Sequence, residues 1–412
     1  TTIGNGAFKD CTALTSVTIP DNVTTIGNSA FQNCKALTSV VIPDGVTKIE
    51  GWAFSSCTAL TSMVIPDGVT TIGTYAFHGC TNLTSIVIPD GVTTIGNGMF
   101  QHCTALTSIA MPNTVTTIDQ SAFWNCKSLT SIVIPDGVTT IGNGAFKDCT
   151  NLTSVTIGKK VTTIDFRAFD GCTALTDISV DDESTKYSGK DGVLYNKDRT
   201  TLIKCPEGKS GSITIPDGVT TIGNSAFYRC TALTSVTMPD SVVTISNSAF
   251  SVCTGLTSVT IPEGVTIIGN GAFSSCTGLT SVTIPEGVTI IGNGAFSSCT
   301  GLTSFDVSED NTEYSSIDGA LYNKDRTTLI QCPEGKSGSV TIPDSVTTIG
   351  NGAFSRCTAL TAINVDEGNT DYSSIDGVLY NKDRTTLIEC PEGRSGSVTI
   401  PDSVTTIGNG AF

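Results

Sequence analysis

Hydrophobic and polar residues alternate along this chain in short stretches that recur every 23 residues. In the first complete copy, Leu14, Val17 and Ile19 are separated by Thr and Ser. This spacing is typical of a short β-strand that buries one face. Pro20 follows at once, and the strand should end there because proline cannot donate a hydrogen bond to a β-ladder. We therefore predict one short strand at the start of every copy.

The rest of each copy predicts three further features. An Asp-Asn or Asp-Gly pair after the proline predicts a turn. Val23 and Ile26 form a second apolar pair, which indicates a second extended segment. Ala30, Phe31 and Cys34 then follow at spacings of one and three residues, which favours one tight helical turn.

The cysteine after this turn marks the period, since Cys34, Cys57 and Cys80 are each followed by another cysteine 23 residues later. A period of roughly 20 to 29 residues with the spacing L-x-x-V-x-I is the pattern of a leucine-rich repeat. One copy cannot bury its apolar face alone, so adjacent copies must stack and share a core. The sequence therefore predicts an α/β fold, a β-rich right-handed leucine-rich-repeat solenoid that forms a single continuous domain over residues 1–412.

Three longer modules interrupt the array, at about 181–211, 308–338 and 366–396. Each has two β-favouring runs on either side of the turn Asn-Lys-Asp-Arg, which predicts an inserted β-hairpin. After each module a strand should rejoin the stack, the last of them at 398–400. The cysteines of the modules fall outside the repeating frame, and we expect them to be less buried than the others; they are Cys205, Cys332 and Cys390. The chain begins and ends within a repeat, so we expect it to be a fragment of a longer protein.

The charge balance argues against several classes of partner. The formal net charge is −16, with 38 acidic and 22 basic residues. An acidic surface repels the phosphates of nucleic acids and of anionic lipids. No apolar run approaches the roughly 20 residues that span a bilayer. We therefore expect no nucleic-acid partner and no direct membrane insertion.

Sixteen cysteines would ordinarily indicate a disulfide framework or metal sites. Thirteen of them recur once per copy inside the apolar pattern, where a small buried hydrophobic residue fits. Stacked copies would place their Cβ vectors parallel rather than facing each other, which disfavours disulfides. No C-x-x-C or Cys/His cluster occurs, which disfavours zinc. We therefore predict free, buried thiols.

Catalysis needs a few unlike groups that converge in a pocket. The chain has two histidines, and neither is paired with a fixed serine or cysteine neighbour. Its carboxylates repeat with the period rather than cluster. The sequence therefore predicts a protein that is not an enzyme and that has no cofactor or metal.

Departures from the repeat are the best places to seek a binding site, because identical copies describe only the fold. The outward strand position of Thr18 is apolar in five consecutive copies. These residues are Val41, Val64, Val87, Ala110 and Val133. A contiguous exposed apolar stripe often marks an interaction surface. The alternative is that valine stands there only for its β-propensity.

Two further columns of side chains belong to the same copies. Trp52 and Tyr75 occupy one position in adjacent copies, where they either contact a partner or only cover the turns. The turn after the proline carries a row of carboxylates: Asp44, Asp67, Asp90 and Asp136. Turn chemistry alone explains aspartate before glycine, and calcium would need several converging oxygens. As a row, these carboxylates would still attract basic partners.

The complete order L-x-x-V-x-I-P-x-x-V-x-x-I-G-x-x-A-F-x-x-C resembles the BspA-like leucine-rich repeats of bacterial cell-surface proteins, and the resemblance covers essentially the whole chain. It implies an extracellular or cell-surface location and adhesion to host matrix proteins or to other cells. The implied partner is a protein, with a glycan as the second option, and no catalytic residues are implied. Two alternatives stay open: a passive stalk that displays other domains, and a threonine-rich face that orders water or binds sugar.

Overall fold

The computed structural model describes all 412 residues. It contains two compact units, residues 1–209 and residues 210–412. Each unit consists of short β-strands joined by hydrogen-bonded turns, and neither contains a helix. The fold is a β-rich leucine-rich-repeat solenoid, so the α part of the α/β prediction is wrong. That one continuous domain covers residues 1–412 stays a prediction.

Each repeat of the first unit has a first strand, which lies within the L-x-x-V-x-I stretch, and a second strand of two residues. The first strands are β2 (Ser16–Thr18), β4 (Ser39–Val41), β6 (Ser62–Met63), β8 (Ser85–Val87), β10 (Ser108–Ala110), β12 (Ser131–Val133), β14 (Ser154–Ile157) and β16 (Asp177–Val180). The second strands are β1 (Thr2–Ile3), β3 (Thr25–Ile26), β5 (Lys48–Ile49), β7 (Thr71–Ile72), β9 (Thr94–Ile95), β11 (Thr117–Ile118), β13 (Thr140–Ile141) and β15 (Thr163–Ile164). Three more strands complete the unit: β17 (Tyr187–Lys190), β18 (Val193–Asn196) and β19 (Thr201–Lys204).

The second unit has the same organisation. Its first strands are β20 (Gly211–Thr214), β22 (Leu233–Thr237), β24 (Ser258–Val259), β26 (Ser281–Ile284), β28 (Ser304–Val307), β32 (Gly338–Ile342) and β34 (Leu360–Val365). Its second strands are β21 (Thr221–Ile222), β23 (Thr244–Ile245), β25 (Ile267–Ile268), β27 (Ile290–Ile291), β33 (Thr348–Ile349) and β38 (Thr406–Ile407). Two triplets remain: β29 (Tyr314–Ile317), β30 (Ala320–Asn323) and β31 (Thr328–Gln331), then β35 (Tyr372–Ile375), β36 (Val378–Asn381) and β37 (Thr386–Glu389).

Like strands of successive repeats pair in parallel, in a register set by the period. Thr2 pairs with Thr25, and Ser16 pairs with Ser39. In the second unit Ser281 pairs with Ser304 in the same way. Because the register equals the 23-residue period, equivalent side chains of neighbouring coils lie directly beside each other.

The predicted helical turn is absent because the backbone hydrogen bonds run in two directions. The N–H of Phe8 donates to the carbonyl of Ala30 in the next coil at 2.7 Å, whereas the N–H of Lys9 returns to Gly6 at 3.0 Å. A tight helical turn would instead direct every N–H to the carbonyl three residues earlier, as the Lys9 N–H does and the Phe8 N–H does not. Asp10 has a φ of 61°, which also prevents a helix from continuing. The segment is therefore a chain of turns that stacks on the next coil.

Aromatic rings and thiols fill the centre of each coil. The rings of Phe8 and Phe31 stack with centroids 5.0 Å apart, and the stack continues through Phe54 at 5.3 Å. The Cys57 Sγ donates to the carbonyl of Phe31 at 3.2 Å. All sixteen cysteines are free thiols, and all but Cys11 are buried. Each coil thus contributes one ring and one thiol to a shared apolar column.

The segments predicted as modules contain antiparallel strands. In the first segment β18 pairs with both β17 and β19, and the equivalent strands of the two later segments pair in the same way. The expectation that their cysteines are less buried is wrong, since Cys205, Cys332 and Cys390 are at most 7 % exposed. The N–H of Cys332 donates to the carbonyl of Ala353 at 2.7 Å, so this residue occupies the place of a turn in the coil. The module boundaries stay predictions. The strand expected at 398–400 does not form.

Candidate functional site

The structure places the five predicted stripe residues at the surface. Val41 and Val64 are 73 % and 81 % exposed, Val87 and Val133 are 64 % and 66 % exposed, and Ala110 is also exposed. Their neighbours along each strand point inward, as Val40, Met63 and Ile86 do. Valine side chains this exposed gain nothing from burial in the folded chain itself. We call these five residues the valine stripe.

Strand pairing joins two members of the valine stripe directly and places a polar residue beside each of its ends. Val87 pairs with Ala110, and Val133 pairs with Thr156 at the end where polar residues return. Val41 pairs with Thr18 at the other end. In four repeats of the second unit the same outward position is an exposed threonine: Thr214, Thr237, Thr260 and Thr283. In the later repeats it is also polar, as Asp306, Thr341 and Asn364. The apolar stripe is therefore limited to the coils between residues 41 and 133.

Threonine hydroxyls next to the stripe are already used within the protein. The Oγ1 of Thr84 donates to the carbonyl of Thr61 at 3.1 Å, and the Oγ1 of Thr107 donates to Thr84 at 3.0 Å. Each hydroxyl has one proton to donate. This face therefore offers apolar contact more readily than hydrogen-bond donors.

The acidic row lies on the turns that follow the same strands. Asp44, Asp67 and Asp90 are exposed, whereas Asp136 is half-buried with Lys159 Nζ 3.8 Å away. Lys159 Nζ is also 2.7 Å from Glu183. Three carboxylates therefore remain to attract a basic partner, and the fourth is partly neutralised. No group of three His, Cys, Asp or Glu side chains is arranged to hold a metal ion.

Trp52 and Tyr75 form a ridge on the turns of the same coils. Their rings stack with centroids 4.3 Å apart and planes 13° apart, and both side chains are half-buried. Their φ angles are 58° and 57°, in the left-handed region that bulky residues avoid. Such a conformation costs about 1–3 kcal/mol per residue. The sequence signal that could have revealed the strain is the glycine that takes the same position at Gly98 and Gly144.

A second group of rings continues along the turn face. His78 lies 5.5 Å from His102, which lies 5.5 Å from the ring of Trp124. Burial, together with the neighbouring His102, lowers the pKa of His78. The Trp124 Nε1 donates to Asp148 at 2.9 Å, and Lys147 lies over the ring at 5.3 Å. Because Trp124 already has a polar partner and a cation, its role is local packing.

The structure thus distributes the predicted residues over adjoining parts of the same coils. The valine stripe lies on the first strands, the acidic row lies on the following turns, and the Trp52–Tyr75 ridge lies on the turns that close the coil. No helix of the structure has the length and hydropathy required to span a bilayer. This arrangement offers a surface for contact rather than a pocket for chemistry.

Comparison with known proteins gives consistent matches. The family model for the BspA type leucine-rich repeat region matches residues 1–130, 119–210, 205–324 and 334–412. A leucine-rich cell surface protein from Faecalibacterium prausnitzii is 35 % identical over 89 % of this chain and 83 % of its own, with a TM-score of 0.53. A leucine-rich repeat protein from Bacteroides ovatus is 28 % identical over 75 % of this chain and 82 % of its own, with a TM-score of 0.50.

A leucine-rich repeat protein from Eubacterium ventriosum is 25 % identical over 86 % of this chain and 82 % of its own, with a TM-score of 0.52. No curated protein matches the sequence. The family match covers far more than half of the chain. The chain therefore belongs to the family of BspA-type leucine-rich repeat proteins.

Proposed function

We propose that this chain acts as a cell-surface or secreted adhesion protein and binds another protein through the valine stripe. The observation that carries the proposal is the exposure of five apolar side chains on five consecutive coils, four of them between 64 % and 81 % exposed. Scattered apolar residues at a surface need no explanation, but a contiguous row often marks an interaction site. The partner is a host matrix protein or a protein of another cell surface.

The surroundings of the stripe define the chemistry of the partner. Burial of the valines would supply most of the affinity. The exposed carboxylates of Asp44, Asp67 and Asp90 favour approach of a basic surface and speed the encounter. The Trp52–Tyr75 ridge offers an aromatic anchor of the kind that dominates many interfaces. The partner should therefore present an apolar row beside basic side chains.

The location and the absence of catalysis are proposed on different grounds. A cell-surface location is supported by the name of the Faecalibacterium prausnitzii protein, which is 35 % identical. A non-enzymatic role is supported by the repeating rather than convergent carboxylates. The alternative is a passive stalk, and it differs in a testable way because a stalk would not depend on any one surface.

Replacement of the valine stripe by the residue typical of the array tests the proposal. The variant carries Val41→Thr, Val64→Thr, Val87→Thr and Val133→Thr, which keep the β-propensity and shape of the strands. Its binding to purified matrix proteins and to host cells should fall by at least about tenfold, the effect of about 1.4 kcal/mol. The matched control replaces two exposed apolar residues outside the stripe, Val243→Thr and Ile290→Thr, and should bind as the parent does. Equal binding by all three proteins would favour the stalk.

A further inference from the structure

A notch opens in the turn face of the second unit. The turns that carry Phe296 and Phe354 are separated by the segment 308–338, which lacks a turn of the same kind. Gln331, Cys332, Pro333 and Glu334 take the place of that turn, since the N–H of Cys332 donates to the carbonyl of Ala353 at 2.7 Å. A cavity of about 470 Å³ remains, within the range of roughly 300–1,000 Å³ typical of small-molecule sites. We call this cavity the Glu334 notch.

Glu334 lines the notch and is 4 % exposed. Its Oε1 accepts the N–H of Ser298 at 2.6 Å. In a regular coil the equivalent N–H donates to the next coil, as Ser275 does to the carbonyl of Ser297 at 2.8 Å. One carboxylate oxygen therefore replaces the carbonyl that the missing turn would supply.

The other carboxylate oxygen of Glu334 has no such explanation. Oε2 is buried and has no hydrogen-bond partner. A buried acceptor without a partner costs about 1–3 kcal/mol, and more when it is charged. Burial raises the pKa of this carboxyl above its ordinary value. A ligand that donates a hydrogen bond to Oε2 would remove this cost.

The other residues that line the Glu334 notch indicate which chemical group of a ligand would donate to Glu334 Oε2. Besides Glu334, the polar lining residues are Asn293, Ser297, Thr328, Gln331, Asn351 and Ser355, and the apolar ones are Ile291, Ala295, Leu321 and Ile330. Amides and hydroxyls both donate and accept, so they match ligand hydroxyls, which do the same. The Gln331 Nε2 already donates to the carbonyl of Phe296 at 3.4 Å. An ammonium group only donates and would leave the amide N–H groups of Asn293 and Asn351 without acceptors. The aliphatic side chains can cover the C–H face of a sugar ring.

We propose that the Glu334 notch binds one pyranose ring, either a free monosaccharide or the terminal residue of a glycan. A ring hydroxyl donates to Glu334 Oε2, a second hydroxyl donates to the amide oxygen of Gln331, and the amide of Asn351 binds a third hydroxyl. The site is in the second unit, so it is independent of the valine stripe in the first unit.

The first unit carries an ion pair at the matching positions of its own segment. Lys204 stands where Gln331 does, and Asp170 stands where Ser297 does. Lys204 Nζ lies 3.4 Å from Asp170 Oδ1, and the two side chains are 7 % and 14 % exposed. An ion pair therefore occupies the positions that Gln331 and Ser297 hold in the second unit. Introducing the same lysine and aspartate at positions 331 and 297 should therefore fill the Glu334 notch.

Binding is measured by saturation-transfer NMR and calorimetry on the full chain, with the methyl pyranosides of glucose, galactose, mannose and N-acetylglucosamine as probes. At least one pyranoside should bind. Glu334→Gln keeps an oxygen for the Ser298 N–H but removes the Oε2 acceptor, and it should weaken that binding about tenfold, as loss of one hydrogen bond does. The double variant Gln331→Lys with Ser297→Asp should abolish binding while thermal melting shows that the protein remains folded. A glycan array then distinguishes a free monosaccharide from the terminal residue of a glycan. Glycans that end in the same sugar are bound only if the notch leaves room for the rest of the glycan chain.

Several results would overturn the proposal. Absence of binding by every pyranoside at millimolar concentration and on the array would do so. Equal binding by the closed double variant would place the sugar elsewhere. Stronger binding of Nα-acetyl-lysine amide than of any pyranoside would show that the site takes an ammonium group.

Discussion

Replacement of Phe77 by alanine tests the stacked core of the first unit. Phe77 is 0 % exposed, and its ring stacks between Phe54 at 5.8 Å and Phe100 at 5.6 Å. A large-to-small change of this kind costs about 3–5 kcal/mol. Phe166 is 55 % exposed and makes a cation–π contact with Arg167 at 5.1 Å. Phe166→Ala is therefore the matched control, with an expected cost below about 1 kcal/mol.

The buried thiols provide a local assay for this loss. Cys80 and Cys103 are 0 % exposed, and the Sγ of Cys103 donates to the carbonyl of Phe77 at 3.1 Å. A thiol reagent can reach them only when the coil opens, so the labelling rate reports the free energy of local opening. A cost of 3–5 kcal/mol should raise that rate roughly 100- to 4,000-fold, at 1.4 kcal/mol per factor of ten.

The effect should be local because each coil contacts mainly its neighbours. Mass spectrometry of the labelled peptides should show faster reaction at Cys80 and Cys103, with less change at Cys172 further along the same unit. Labelling of Cys80 at the parental rate in Phe77→Ala would refute the stacked core. Equal acceleration at every thiol would refute the local coupling.

Three further predictions use the same chain. Burial raises the pKa of Cys103 and Cys149 to about 12, so both thiols should resist alkylation at pH 8 until urea is added. Detection of disulfide-linked peptides from adjacent coils would refute the prediction of free thiols. Burial, with a contribution from Glu392, raises the pKa of Glu389 from 4.5 to about 7. The folded state therefore binds one more proton than the unfolded state between pH 4.5 and pH 7. Because of this difference, the free energy of unfolding should fall as the pH rises through this range. In urea titrations Glu389→Gln should remove that fall, so that the variant is more stable than the parent at pH 8 but not at pH 4. Parallel pH profiles of the free energy of unfolding for the two proteins would contradict this prediction. Trp52→Gly should be about 1–2 kcal/mol more stable than Trp52→Ala, because glycine adopts a φ of 58° without the penalty of a Cβ, and equal melting of the two variants would contradict the strain.

Much of the fold follows from the sequence because the period fixes the register. Once like residues recur every 23 positions, parallel pairing of like strands is the arrangement that buries every apolar column at once. The exposure of Val64 and the burial of Met63 follow from strand alternation alone.

Features that depend on contacts between coils were harder to predict. The spacing of Ala30, Phe31 and Cys34 suits a helical turn, but the hydrogen bonds to the next coil, such as that of Phe31 N–H to Ala53 at 2.7 Å, compete with helix formation. Spacing within one copy does not show this competition. Cys332 is buried for a related reason, since its N–H reaches a coil that follows later in the sequence.

The candidate site was predicted to a different extent for each of its parts. The valine stripe is visible in the sequence because it departs from a threonine column. The strain at Trp52 and Tyr75 needs backbone angles, although glycine in the same column is a clue. The Glu334 notch arises from a missing turn and therefore appears only when the coils are stacked.

The most direct test of the proposed function compares two double variants, one in each unit, at the same outward position of the repeat. Val64→Asp with Val87→Asp introduces charge into the valine stripe, whereas Thr260→Asp with Thr283→Asp does so at exposed polar positions of the second unit. Both should melt as the parent does, because all four side chains point outward. Binding to purified matrix proteins and host cells should be lost in the first variant and retained in the second. Equal binding by the two variants would assign the valines to β-propensity alone, and unfolding of the first would show that these side chains are not at the surface.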